Sequence, residues 1–351
     1  MGPWPRSTAA AVQAFADENM RQGSIDYRAW YRRECRLRER LAEMMNAPSA
    51  GDIALLKNTT EGICAVAYGL DWRDGDNVVL PAGEFSSNRL PWLAQAGRGV
   101  SVREVDIRAA DDAEAALLET VDNRTRLLAV SAVQWNDGFR LDLERLGSAC
   151  RQRGVLFFVD AIQQLGALPL DVQSCRADFL AADGHKWLLA PEGIAVFYCR
   201  EAVRDRLSLQ QVGWHMVDQP WRFDRQEWQP SASALRFEAG SPNSLGQAAL
   251  LASVELLLGF GMREVERRVL ANTDGLVRSL DSLPGVELTS QTKAERRSGI
   301  VSFRHRGVDA EHLKDRLIAD GVVCAVRDRA VRLSPHFYQG ELQIEELVRR
   351  I

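Results

Sequence analysis

From about residue 58 to residue 200 the chain alternates short apolar runs with longer stretches of helical spacing. Apolar runs of about four to eight residues read as strands buried on both faces, and the 3.6-residue pattern between them reads as crossover helices. This predicts strands over residues 77–81, 100–105, 126–133, 155–160, 179–182 and 194–199, with helices or helical turns over 84–96, 113–120, 143–153 and 161–165. The alternation defines an α/β fold, a mostly parallel sheet flanked by helices. Helix formers dominate 245–280, and strand-like pieces follow at 299–303 and 321–326. The expected division is a large unit over 15–244 and a small α+β unit over 245–351 joined by residues 1–14. The arginine-rich stretch 28–40, with Glu34 and Glu39 interleaved at helical spacing, reads as a solvated amphipathic helix. No internal repeat or low-complexity linker interrupts this pattern.

Composition narrows the function. The 351 residues are 46% hydrophobic and 26% charged, ordinary for a globular chain, and the net charge of -4 provides no broad positive field for nucleic acid or an anionic membrane. A small molecule is the expected partner. Residues 1–17 lack the apolar core of a secretory signal, and the longest apolar stretch, 248–260, is interrupted by Glu255 and is short for a membrane span. The six cysteines, at 35, 64, 150, 175, 199 and 324, are scattered and form no CxxC pair, as expected of reduced thiols in a cytoplasmic protein. Only four lysines, at 57, 186, 293 and 314, stand among 40 arginines, so chemistry that needs a primary amine has four candidates.

The sharpest candidate chemistry lies in Val155-Leu-Phe-Phe-Val-Asp160-Ala-Ile-Gln163 and Ala181-Ala-Asp183-Gly-His185-Lys186-Trp187. A buried strand ending in a carboxylate brings Asp160 to the carboxyl edge of the sheet, where open α/β folds bind ligands. A carboxylate there can keep a pyridine nitrogen protonated, and Lys186, after a second strand ending at the same edge, can hold such a cofactor as a Schiff base. The plain alternative for Asp160 alone is a strand-end cap. Upstream, Asn58-Thr59-Thr60-Glu61-Gly62 opens a helix whose N-terminus suits a phosphate, although the same residues also fit a capping-box variant.

Taken in order, these motifs resemble the class V aminotransferase family of pyridoxal-5′-phosphate (PLP) fold type I, in its branch of cysteine desulfurases, selenocysteine lyases and isopenicillin N epimerase-like proteins. The resemblance runs from Asn58-Thr-Thr-Glu-Gly to Arg332-Leu-Ser-Pro-His-Phe-Tyr338. It implies a seven-stranded sheet in the large unit, PLP as cofactor and an amino acid as substrate. By resemblance, Thr59, Thr60 and Glu61 bind phosphate with His185 nearby, Asp160 pairs with the pyridinium nitrogen and Gln163 bonds the 3′ oxygen. Lys186 is then the catalytic lysine, and Phe85 stacks on the cofactor face. Phenylalanine keeps the stacking but transfers no proton. Arg332 binds the substrate carboxylate through a bidentate guanidinium, with Asn88 as a second substrate contact. In Arg236-Phe-Glu-Ala-Gly-Ser241-Pro-Asn, Ser241 takes the position whose hydroxyl reaches a phosphate across a dimer interface, which implies a homodimer.

Three departures limit the substrate reading. Desulfurases that pass sulfur on as a persulfide carry a cysteine on a mobile loop before the carboxylate-binding arginine; here the nearby cysteine is Cys324, in a stretch that reads as a buried strand. Asp183 stands where a serine commonly contacts the phosphate, and its charge is expected to point away from a dianion. Met1-Gly-Pro-Trp-Pro resembles the middle of the family's opening segment, whose preceding residues help line the pocket, so either the authentic N-terminus is longer or that wall is missing. No dinucleotide fingerprint, Walker motif or HExxH spacing occurs, so no metal is expected. The sequence therefore points to a desulfurase-like Cβ–S or related Cβ–X lyase, leaving open an aminotransferase or epimerase with the same residues and, last, an idle scaffold.

Overall fold

The computed structural model describes residues 2–224 and 227–351. Seven strands form the main sheet: β1 Ile53–Leu56, β2 Asn77–Pro81, β3 Ser101–Val105, β4 Thr125–Ser131, β5 Leu156–Asp160, β6 Phe179–Asp183 and β7 Ala195–Cys199, in the order β1-β7-β6-β5-β4-β2-β3. The strands β3, β2, β4, β5 and β6 run parallel, and β7 and β1 close one side antiparallel. Alternate side chains enter opposite cores: Leu128, Val130, Phe157 and Val159 on one face, Leu127, Ala129, Leu156 and Phe158 on the other. Both faces are dry, which explains the uninterrupted apolar runs in the sequence. Each of the larger side chains, Leu, Val and Phe, contributes about 1.5–3 kcal/mol on burial.

Four further strands, β8 Val286–Leu288, β9 Val301–His305, β10 Ala325–Arg327 and β11 Ala330–Leu333, form an antiparallel sheet in the order β10-β11-β9-β8. Helices Met262–Asp281, Ala310–Ala319 and Glu341–Val348 supply Leu276, Leu280, Leu313, Leu317 and Ile344 to its core. Helices Ser244–Phe260 and Met262–Asp281 meet at 83° at Gly261, where φ is +83°. Among the described residues no single helix is long and apolar enough to cross a membrane.

The chain departs from its sequence pattern in four places, while residues 161–165 form the turns allowed for there. Strand β1 lies where the pattern suggested only the approach to a helix, and all four of its residues are buried. Residues 84–96 form no continuous helix: 3₁₀ turns at Ser86–Asn88 and Ala94–Arg98 flank the single turn Leu90–Leu93, because Pro91 lacks the donor and fixes the backbone at that start. Strand β10 covers only Ala325–Arg327, which leaves Cys324 in irregular chain and partly exposed, not in a buried strand. Helix Tyr27–Met44 is amphipathic as expected but not simply solvated: Glu34 and Arg38 are buried, and the Arg38 guanidinium bridges Glu34 and Glu238 beside buried His215. Burial pushes the Glu238 carboxyl up to about 8.

Candidate active site

The parallel strands deliver a row of carboxylates to one sheet edge. Asp160 ends β5, in register with Ser131 of β4 and Ala181 of β6, and is 2% exposed. It accepts one backbone hydrogen bond, from the Ile162 N–H at 3.0 Å. Burial, reinforced by Glu84 and opposed by Lys186, pushes its pKa up to about 7. A buried carboxylate so thinly supported favours a cationic N–H partner.

Lys186 follows β6 in a turn tied by Gly184 N–H to the Ile194 carbonyl (2.9 Å) and Ala190 N–H to the Gly184 carbonyl (2.8 Å). Burial first, then Arg332, lowers its pKa, while Asp160 raises it. Its Nζ lies 5.7 Å from the Phe85 ring centroid. Phe85 is half-exposed and meets Trp135 edge-on at 5.6 Å, and the Trp135 indole N–H donates to the Gly83 carbonyl at 2.9 Å. Gln163 accepts from the Trp187 indole at 3.1 Å, which turns its NH₂ group away from that contact.

A cleft of about 560 Å³ connects Lys186 and Gln163 to Arg332, Cys324 and Tyr338. Arg332, on β11, donates to the Trp135 carbonyl, and its buried Nε has no partner. Burial and Arg327 lower the Arg332 pKa to about 10, so it is cationic at neutral pH. Gly2 and Pro3 also line the cleft. A side chain on Gly2 would meet the Tyr338 hydroxyl at 2.7 Å.

Other candidate residues sit differently. The helix Thr59–Gly69 opens as a cap: Asn58 accepts from Glu61 N–H (2.9 Å) and the Glu61 carboxylate from Lys57 N–H (2.6 Å). The amide and the carboxylate of Glu61 are thus both engaged within that turn. Thr60 stays at the helix start, its hydroxyl donating to Ser87 at 2.9 Å. Asp183 does not point away: it accepts from Thr59 N–H at 2.6 Å and approaches His185 Nδ1 at 3.5 Å. Burial raises the Asp183 pKa and lowers that of His185, each opposed by the other's charge. Asn88 is fully buried, accepts from Trp92 (3.1 Å) and faces Glu84, so it is not presented to a substrate. Ser241 is exposed in the turn before helix Ser244–Phe260, outside its own chain's cleft.

Sequence reasoning missed Glu84, Trp135 and His336. Glu84 is buried after β2, accepts from Ser131 N–H (2.7 Å) and Gln134 (3.2 Å), and its pKa is raised by burial. An acid just past a buried strand was the available signal. His336 lines the cleft, bonds the Trp187 carbonyl at 3.1 Å and stacks on Tyr338; burial lowers its pKa to about 4, so it is neutral.

A lysine and a buried carboxylate at the carboxyl edge of a mixed seven-stranded sheet, facing an arginine from a second sheet, define the fold type I class of PLP enzymes. The chain belongs to the class V aminotransferase family, whose model matches residues 28–338. It is 31% identical to a probable cysteine desulfurase of Methanothermobacter thermautotrophicus, over 96% of this chain and 88% of that protein. It is 28% identical to a cysteine desulfurase of Shigella flexneri, over 89% and 80% respectively. Among solved structures it superimposes on a lysine-to-alanine variant of C-DES with glycine covalently linked to PLP, with a TM-score of 0.92, 25% identity and coverage of 99% and 93%. The cystine C–S lyase C-DES in complex with its product cysteine persulfide gives a TM-score of 0.90 at 25% identity, covering 99% and 94%.

Proposed function

We propose that the chain is a PLP-dependent Cβ–S lyase acting on cysteine or its disulfide. The observation that carries the reading is that Lys186 and Arg332 line one cleft with Cys324, while Lys186 is also coupled to the buried Asp160 carboxylate and lies 5.7 Å from the Phe85 ring centroid. The residues fit PLP: Asp160 lacks a strong partner, Gln163 lines the cleft, and the helix start at Thr59 is tied through its N–H to Asp183, on the strand that leads to Lys186. Bound there, PLP supplies an electron sink for the pair released at the substrate α carbon.

The chain's own residues supply the rest. Lys186, its pKa lowered by burial, takes the proton from the α carbon and can return it. Asp160 would pair with the ring nitrogen's proton, and Gln163 would donate to the 3′ oxygen. Thr59 and Thr60, with His185 nearby, would hold the phosphate, and Phe85 would cover the ring. Arg332 grips the α-carboxylate with a fork that orients the Cα–H bond, and its unpartnered Nε is available to that anion. Elimination breaks the Cβ–S bond: the sulfur leaves with the electron pair, and water converts the remaining aminoacrylate to pyruvate and ammonia. Incubation with cystine is expected to give equal pyruvate and thiocysteine. Transfer of the amino group to a 2-oxo acid without sulfur release would replace this reading with an aminotransferase. Epimerisation finds no support, since Phe85 cannot serve as the second acid or base.

Cys324 reaches the cleft, but burial raises its pKa and keeps it a thiol. Cys324→Ala is therefore expected to leave pyruvate formation from cystine within about threefold of the parent, because a neutral thiol at the rim supplies little charge stabilisation. Loss of all sulfur release would assign the thiol a covalent role.

The enzyme is further proposed to be a cytoplasmic homodimer. Trp221, Phe223 and Trp228 are exposed on the segment that leads to Ser241, an apolar surface suited to a second copy. Ser241 then bonds the phosphate in the partner's site. Ser241→Ala is expected to weaken PLP binding roughly 10-fold, the worth of one hydrogen bond to a charged group. Equilibrium dialysis measures this, and an unchanged affinity would remove the cross-subunit role.

A further inference from the structure

Beyond β4 the loop 134–138 carries a run of backbone carbonyls that the second sheet occupies in sequence. The Trp135 carbonyl accepts from Arg332, that of Asn136 from the Ser302 hydroxyl at 2.7 Å, that of Asp137 from the Ser290 hydroxyl, and that of Gly138 from the Ser298 hydroxyl at 2.8 Å. Four consecutive carbonyls thus take one donor each. Ser302 and Arg332 are direct cross-strand partners in β9 and β11, so adjacent ladder positions grip adjacent carbonyls. The far end of the hairpin is also tied: the Asn136 amide donates to Asp328, which lies 3.5 Å from Arg108, and the Arg304 guanidinium bonds the Asp328 carbonyl at 2.8 Å.

The same loop is registered to the other half of the site. Ala132 N–H donates to the Asp160 carbonyl at 2.9 Å, and the Gln134 side chain donates to Glu84 at 3.2 Å. Its close fit is visible at Gly138, where φ is +77° and a Cβ would lie 2.6 Å from the Ile300 carbonyl. A short path, two hydrogen bonds joined by the chain from Ala132 to Trp135, therefore connects Asp160 to Arg332.

We propose that loop 134–138 sets the position of Arg332 relative to Asp160 and Lys186, and that Ser302 is its principal positioning residue. The inference rests on the reading of Arg332 as the carboxylate clamp. Ser302 is 1% exposed, so removing its hydroxyl leaves the Asn136 carbonyl without its donor next to the carbonyl that holds Arg332. A guanidinium displaced by a fraction of an ångström loses its bidentate fit, while the cofactor's own contacts stay in place.

The test is a spectrophotometric titration of the PLP-loaded enzyme with glycine, together with cystine kinetics, for Ser302→Ala, Asp328→Gly and Arg332→Ala. Asp328 has φ of +49°, so glycine removes the acceptor without adding backbone strain, and this variant serves if Ser302→Ala fails to fold. The expected result is a glycine Kd and a cystine KM raised roughly 10- to 100-fold in Ser302→Ala, and severalfold in Asp328→Gly, with kcat within about threefold and PLP content unchanged. A merely structural role would lower thermal stability and leave Kd and KM alone. Values within twofold of the parent in both seam variants, with Arg332→Ala strongly impaired, would overturn the positioning role and keep the clamp. Unimpaired glycine binding by Arg332→Ala would overturn both.

Discussion

Lys186→Ala is expected to lower the rate of pyruvate formation from cystine by on the order of 10³-fold or more, with PLP still bound through noncovalent contacts. The size follows from two losses at one atom. The primary amine is the group placed to move the α proton, and Lys57, Lys293 and Lys314 do not line the cleft. Burial lowers the Lys186 pKa, so the neutral amine that accepts a proton is more accessible near neutrality than for an exposed lysine. Substrate binding should survive, because Arg332 is untouched. Lys186→Ala should therefore bind glycine with a changed PLP spectrum while turning over no cystine. Retained turnover would show that another base moves the proton.

Asp160→Asn should cost on the order of 10²- to 10³-fold in kcat, because the neutral amide no longer holds a proton on the ring nitrogen and the ring withdraws electrons less strongly. A second signature distinguishes this from simple damage. Without cofactor, the Asp160 pKa of about 7 lies above its unfolded value, so between roughly pH 4 and pH 7 the folded state binds the extra proton. Stability from this group is thus fully present below the unfolded pKa, falls as pH rises through that window and levels off above it. Asparagine resembles the protonated form and removes this dependence. Cofactor-free Asp160→Asn should gain thermal stability relative to the parent between pH 5 and pH 8, on the order of 2–4 kcal/mol from this residue. In the PLP-loaded protein the gain should vanish, since the ring cation stabilises the carboxylate. A pH-independent difference between the two proteins would show that Asp160 is not the buried, unpaired acid described above. Glu238, also raised by burial, titrates in both proteins and cancels from the comparison.

How far these residues could be read from sequence depends on whether local pattern or tertiary distance fixes them. Asp160 was legible because five apolar positions buried on both faces leave a terminal carboxylate no place but the sheet edge. Lys186 stood out through the order of motifs around it and the scarcity of lysine. The arrest of the 84–96 helix at Pro91 was written in a single residue, but helical spacing outweighed it. Cys324 was misread because its apolar neighbours suggested a strand, while the actual pairing starts one residue later, at Ala325. From sequence Glu61 fitted either a phosphate site or a cap, and the structure shows the cap, because the Lys57 and Glu61 amides need acceptors. The union of Glu34 and Arg38 with Glu238, some 200 positions away, and the gripping of four carbonyls by Arg332 and three serines depend on distances that no local pattern encodes.

The central claim is that Lys186 carries PLP in a lyase site, and an absorption spectrum of the purified protein supplied with PLP, before and after borohydride, tests it most directly. A yellow Schiff-base band that borohydride bleaches is expected, with the reduced adduct recovered on the peptide containing Lys186, and with a shift of that band on adding cystine. A protein that stays colourless with PLP, or an adduct on Lys57, Lys293 or Lys314, would contradict it.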